Sequence, residues 1–469
     1  MPVRRPRRRP GAAEVLIAAS IVLSANLLLV GTTEARPITT HEGVLPAGTD
    51  LNEDVLDQPT ELFASELAGG KRSYLLNLGD IAFGSPSILG GLARQAGISC
   101  ETCHQQGAGN AKLFVPGLSS RPGNFDTTGP LFHAKADNGV LDPVTVPSLR
   151  GSKYLWPYGH DGRIASLQEF VRNVVVNEFA GPEPSPQIVD ALVAYVREIS
   201  FLPNAKLGAA GRLTAKASDA AHRGEQLFSK PFPHDASLSC AACHQPSAAF
   251  VDHRIHDVGS GGMFKTKTLL NANFNAPYFH DGRFDTYDEV VRHFDKTFKL
   301  GLSPQDRGDL VAYLEAVGDA DKPYTRNDVA GSLDQIAHFA SVLDTALPAH
   351  NLEVIELVAD GVGSEWRELG ENFPSLTDTS VSGGRSERAA ARQATLGAAL
   401  ALRQIAMAAE ARDYDAALQA YAEYRRLAQA ARPTLLAAQG WSLFDPQVRA
   451  RHFESLKQLD RLANTQSAH

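Results

Sequence analysis

Every cysteine of this 469-residue chain lies in one of two matching runs, Cys100-Glu101-Thr102-Cys103-His104 and Cys240-Ala241-Ala242-Cys243-His244. Cys-x-x-Cys-His is the attachment signature of c-type haem: two thiols add to the two porphyrin vinyl groups, and the imidazole that follows reaches the iron. The runs predict two covalently bound haem c groups, held by Cys100, Cys103 and His104 and by Cys240, Cys243 and His244, with His104 and His244 as iron ligands. Three other chemistries use paired cysteines. A zinc ribbon wants its pairs about 15–20 residues apart, and these stand more than a hundred apart. A thioredoxin-like motif, or a pair of structural disulfides, has no use for the histidine in both copies.

The elements that must position these motifs occur twice in the same order, as a duplicated domain requires. Upstream stand Gly79-Asp80-Ile81-Ala82-Phe83 and Gly224-Glu225-Gln226-Leu227-Phe228; downstream stand His160-Asp161-Gly162-Arg163 and His280-Asp281-Gly282-Arg283. A capping box follows each, Ser166 with Glu169 and Thr286 with Glu289, so both glutamates read as helix caps. The helices so opened carry the apolar stripes Leu167, Phe170, Val171, Val174 and Tyr287, Val290, Val291, Phe294, spaced as one helix face. Each copy closes with a Ser-Pro-Gln helix start, at Ser185 and Ser303, with proline where a helix tolerates it. The predicted fold is all-α: two tandem cytochrome c-like domains at 36–205 and 206–325, then a helical appendage at 330–469 with no cysteine.

The formal charge of −8 argues against a nucleic-acid binder. Five arginines among the first nine residues, an apolar run from Val15 to Val30 and a small-residue site ending at Ala35 form a secretory signal peptide over 1–35. The alternative, an uncleaved anchor, is disfavoured because a run broken by Ser20, Ser24 and Asn26 is short for a bilayer span. The expected location is the periplasm, with no membrane attachment after cleavage.

The tandem haem motifs, the run Pro147-Ser148-Leu149-Arg150 ahead of His-Asp-Gly-Arg, and the second copy's His256-Asp257-Val258-Gly259, Phe264-Lys265-Thr266 and Ala276-Pro277-Tyr278-Phe279-His280-Asp281-Gly282 together resemble the bacterial di-haem cytochrome c peroxidase family, which includes the di-haem enzymes of methylamine utilisation. The resemblance covers about residues 70–325. It implies that hydrogen peroxide is reduced to water at the first haem, while the second takes electrons from a small soluble cytochrome or copper protein. It also implies a proton-carrying glutamate after the first Asp-Gly-Arg. Glu178 is the nearest match, off the family spacing, and Phe170 stands where the family often has glutamine. Arg163 and Arg283 suit haem propionates, since guanidinium pairs bidentately with carboxylate. His160 stands where many members carry an inter-haem tryptophan; Trp156, four residues earlier, is a bridge candidate or a buried packing residue. His133 is a candidate distal ligand of the first haem or an exposed loop histidine.

The family's sixth ligand to the second iron, a methionine or a tyrosine, aligns with Phe294, which has no lone pair. An open or water-bound iron is therefore the first expectation, Met263 in its glycine loop the second and His293 the third. Two other functions fit the same motifs. One is a di-haem electron-transfer subunit without peroxidase activity. The other is a methylamine-utilisation-type oxidase that modifies a partner protein, with the helical tail as docking surface.

Overall fold

The computed structural model describes residues 43–51, 60–321, 328–378 and 380–455. The predicted signal peptide lies outside them. No helix among the described residues is long and apolar enough to cross a membrane.

The chain is mostly helical. In the first repeat α1 (Tyr74–Gly84) starts at Ser73, whose hydroxyl accepts from Leu76 N, and the first haem motif forms the short α2 (Cys100–Cys103). Then come α3 (Leu167–Asn173), a π-helical turn at Val174–Glu178, and α4 (Pro186–Glu198), capped by Ser185. The second repeat supplies α5 (Asp219–Phe228), α6 (Cys240–Cys243), α7 (Tyr287–Phe298) and α8 (Pro304–Gly318). Both predicted capping helices form: Glu169 N donates to Ser166 Oγ, and Glu289 closes a full capping box on Thr286.

The duplication is visible atom by atom. α1 crosses α4 and α5 crosses α8 at a glycine, because a Cβ on Gly79 would lie 2.0 Å from Ala191 O and one on Gly224 would lie 2.0 Å from Asp309 O. No other residue type fits such a crossing. One turn on, Phe83 meets Tyr195 and Phe228 meets Tyr313, each pair with ring centroids 4.8 Å apart. The same phenylalanines then reach the motif histidines His104 and His244, at 6.2 and 6.3 Å.

Two small antiparallel ladders interrupt the helices. β1 (Asn124–Phe125) pairs with β2 (Val144–Thr145), and β3 (Ile255–Asp257) pairs with β4 (Met263–Lys265), in the register Ile255↔Lys265, His256↔Phe264 and Asp257↔Met263. β2 and β4 occupy equivalent places and carry the contact between repeats. Thr145 N donates to His280 O at 2.6 Å, and Lys265 N donates to His160 O at 2.9 Å. This exchange has the reciprocity of a two-fold interface.

From 329 the chain forms α9 (Val329–Ala340), α10 (Leu352–Glu371), α11 (Arg385–Glu410) and α12 (Tyr414–Ala438). α9 and α10 pack on α1. Their apolar faces join the first repeat in one hydrophobic core running from Leu45 to Ala438, with Trp366 fully buried and its Nε1 donating to Tyr424 Oη. The second repeat keeps a smaller core of its own around Phe228, Phe250, Val291, Leu310, Tyr313 and Val317.

Candidate haem site

A cavity of about 860 Å³ runs along the seam of the two repeats and is lined by both motifs, Cys100, Cys103 and His104 on one side and Cys240, Cys243 and His244 on the other. That volume is at the upper end of the range for cofactor pockets. All four cysteines are free thiols, partly buried. Burial pushes Cys100, Cys103 and Cys240 up to about 12, and Cys243 upward as well. A zinc site needs thiolates, whereas a thioether to porphyrin leaves a neutral, apolar sulfur, so these surroundings fit haem attachment better than metal binding through sulfur.

Both motif histidines are held through Nδ1. His104 Nδ1 donates to Pro147 O at 3.0 Å, and His244 Nδ1 donates to Phe250 O at 3.3 Å. A ring held this way keeps its lone pair on Nε2, the arrangement that orients imidazole toward a metal. Burial lowers His104 to about 4 and lowers His244 too, so both are neutral at pH 7. The residues present therefore fit a haem at each motif.

Glu178 lines the same cavity as His104. The π-helical turn carries it there: one residue more than an α-helical turn requires, it swings the last side chain of α3's continuation inward, a device common at functional sites. Glu178 Oε1 accepts from Arg163 Nη2 at 2.6 Å and from Asn173 Nδ2 at 3.2 Å, while Oε2 accepts nothing among the described residues. The carboxylate is thus anchored by one oxygen. Phe170 lines the cavity too, with the Arg163 guanidinium 5.3 Å above its ring.

The other candidates are placed as follows. Arg163 is engaged by Asp161 and Glu178; Arg283 is gripped by Asp281 and by Ser260 O and does not line the cavity. Met263 lies on β4 at the cavity mouth, 50% exposed. Phe294 lines the cavity, whereas His293 does not, its Nε2 donating to Val258 O at 2.7 Å. His133 Nδ1 donates to Asn177 O at 2.6 Å, likewise outside the cavity. Trp156 is not a buried packing residue: it is 49% exposed and stacks on His253, with centroids 4.0 Å apart.

Sequence reasoning assigns no ligand-binding role to three further cavity groups. His160 Nε2 donates to Thr145 O at 2.7 Å, and its Nδ1 is buried with no hydrogen-bond partner; burial foremost, then Lys267, hold the ring well below its ordinary pKa. Lys265 Nζ donates to Leu155 O and Pro157 O, and burial lowers it to about 8. Lys267 is lowered to about 7 by burial and by Lys265. The signal that could have found Lys267 is a lysine standing where the first repeat has Pro147.

The mostly helical fold, with two Cys-x-x-Cys-His runs against a shared cavity, agrees with an all-α, cytochrome c-like class. Residues 218–335 match the family model for di-haem cytochrome c peroxidase, which bears out the resemblance carried by the motifs and implies haem as cofactor. The chain is 25% identical over 284 residues to hydrazine synthase subunit gamma of Kuenenia stuttgartiensis, covering 48% of this chain and 73% of that protein. It is 26% identical over 289 residues to methylamine utilization protein MauG of Methylorubrum extorquens, covering 48% and 74%. A shorter stretch of 67 residues, 12% of this chain and 18% of the relative, is 37% identical to cytochrome-c peroxidase IdrP1 of Denitromonas iodatirespirans. Among solved structures, a chain of Kuenenia stuttgartiensis hydrazine synthase under xenon pressure matches with 23% identity and a TM-score of 0.39, over 56% of this chain and 94% of that one.

Proposed function

We propose that the chain is an exported di-haem c-type peroxidase, with two covalently bound haems, that reduces hydrogen peroxide with electrons from a small soluble cytochrome or copper protein. The observation that carries this reading is Glu178, a carboxylate buried in the cavity of His104 and anchored through a single oxygen. The reaction takes one peroxide, two electrons and two protons to two waters. Haem would supply the redox centre at each motif, held by the cysteines and by Nε2 of His104 and His244.

The chain's own contribution is acid–base chemistry. Splitting the O–O bond heterolytically requires a proton to pass from the inner to the outer oxygen, and a positioned carboxylate within reach can carry it. Oε2 of Glu178 is the oxygen available for that transfer, while Arg163 and Asn173 fix the group through Oε1. Phe170, Val171 and Val174 wall off water around it. In the second repeat Phe294 and Phe298 line the cavity instead. These rings offer no proton carrier, which suits electron transfer.

The test is peroxide-dependent oxidation of a reduced small cytochrome by the purified protein. Sustained turnover supports the proposal. No turnover with both irons six-coordinate and low-spin would make the protein an electron carrier instead.

A further inference from the structure

The two repeats place a different residue beside the motif histidine. His104 Nδ1 donates to the carbonyl of Pro147, and His244, whose Nδ1 donates to Phe250 O, has the backbone of the equivalent residue, Lys267, beside it. A proline ends at its ring. The lysine sends an ammonium into the wall of the cavity that both motifs share.

That ammonium has no counter-ion. Among the described residues no carboxylate lies within ion-pair distance of Lys267 Nζ, and no hydrogen bond is made by it. The titratable groups facing it are Lys265, His160 and His280, two of them imidazoles and one a second cation. Burying an unpaired charge is costly, and an anion in the cavity would give this side chain the partner that the protein does not supply. The two arginines expected to fill such a role are already committed: Arg283, which does not line the cavity, to Asp281 and Ser260 O, and Arg163 to Asp161 and Glu178.

We propose that Lys267 is the seat of a haem propionate in the second repeat, with Lys265 lending positive potential beside it. The carboxylates of a haem are the anions that would reach this apolar cavity together with the cofactor. Lys265 spends its own hydrogen bonds on Leu155 O and Pro157 O, which leaves Lys267 as the donor. The assignment rests on haem being bound at His244, and does not depend on peroxide turnover.

The experiment compares the holoprotein, K267M and K267R, each carrying haem labelled with ¹³C in its propionates. Haem content is measured first, then the midpoint potential of each haem, then the redox-induced infrared difference spectrum of the labelled carboxylates. K267M should keep its haem, and the potential of one haem should fall, because an uncompensated propionate stabilises the ferric state. The labelled carboxylate band should move in K267M, with both changes restored in K267R. An unchanged potential and band in K267M would overturn the proposal. So would a potential that falls with no movement of the band and recovers on adding formate, because the site would then take a free anion. Loss of haem from both variants would overturn it as well, since arginine keeps the charge. A colourless wild-type protein would remove the haem reading itself, and that is seen before any variant is measured.

Discussion

The two repeats share the framework around the Cys-x-x-Cys-His motif and differ in what they present to the cavity. Both have the glycine crossing at Gly79 and Gly224, the Phe–Tyr pair behind the motif, and the histidine tied by Nδ1 to a carbonyl. The helix after His-Asp-Gly-Arg then parts company. In the first repeat it passes into a π-turn and ends in Glu178 with Arg163. In the second α7 runs on to a left-handed stop at Lys299, and Phe298, at the position of Glu178, stacks with Phe294 and packs on Phe232. A duplicated scaffold can thus present two different surfaces to one cavity: an anchored carboxylate, the proposed proton carrier, from one repeat, and an apolar wall from the other.

The largest effect expected from breaking this comparison is on cofactor content. Replacing Cys100 and Cys103 by alanine should remove one covalent haem, and replacing Cys240 and Cys243 should remove the other, each read as half the wild-type haem per chain in a pyridine haemochrome assay. Full retention in either variant would contradict attachment at that motif. The next effect is on turnover. Glu178→Gln keeps the size and the anchor but removes the proton carrier, so peroxide turnover should fall by on the order of 10² to 10⁴ with haem content intact. Phe298→Leu, at the matching place, should leave turnover within a few-fold of wild type. Equal losses in the two variants would show that the repeats do not divide the work in this way.

The haem motifs, the capped helices and the order of the repeats are legible in the chain because they rest on local chemistry and spacing. Cys-x-x-Cys-His, Ser166 with Glu169 and Thr286 with Glu289 carry their reasons within a few residues. What the sequence does not disclose depends on contacts between distant segments. Nothing in Gly79-x-x-x-Phe83 says that α9 and α10 will cover α1 and merge with its core. The π-turn is also silent, since Val174 to Glu178 reads equally well as α-helix; the extra residue shows only once the backbone is built. Arg163 and Arg283 suit propionates in the sequence because guanidinium pairs bidentately with carboxylate, but Asp161 and Asp281, so near to them in the chain, are carboxylates as well. In the fold those acids, with Glu178 and Ser260 O, take up the guanidiniums. Met263 and His293 divide on the same ground: strand β4 carries one to the cavity mouth, while a carbonyl on the facing loop captures the other.

A smaller effect tests the part the repeats have in common. Gly79→Ala and Gly224→Ala each drive a methyl group into a backbone carbonyl, at Ala191 and Asp309. Neither oxygen is the end of a flexible side chain, so the helices must separate. Overpacking of this kind costs about 1–3 kcal/mol, measurable as a lowered urea midpoint. Because the first repeat shares its core with the tail and the second stands on a small core alone, Gly224→Ala should broaden the transition, with the second repeat unfolding ahead of the rest. A single sharp transition in Gly224→Ala would mean that the two cores are more tightly coupled than their separate packing implies.

The smallest effect expected is on the pH dependence of stability, where the repeats should differ in sign. Asp80 follows the packing glycine of α1. Burial foremost, then the charge of Glu61, push it up to about 7 against the pull of Arg72. On α10, burial, Glu368 and Asp80 push Glu365 up to about 8. Carboxyls in the unfolded chain titrate near 4, so the folded state binds these protons more tightly. Their contribution is fully present below the unfolded value and is lost as pH rises from there to the folded value, each group lowering stability by about 1.4 kcal/mol per pH unit across that interval and by nothing above it. In the second repeat the Arg223 guanidinium, bidentate on Asp309, holds that carboxyl below its ordinary value. That contribution is present above the ordinary carboxyl range and is lost as pH falls through the folded value. Urea unfolding followed by far-UV circular dichroism between pH 3 and pH 9 should show stability declining from about pH 4 to about pH 8 and levelling above it, and Asp80→Asn should flatten that decline while leaving the limb below about pH 4 alone. Asp309→Asn should alter the acid limb and leave the decline across neutral pH. If Asp80→Asn keeps the wild-type slope across neutral pH, its proton is not the one released, and the contrast between the buried acids under the tail and the paired acid on α8 fails at this position.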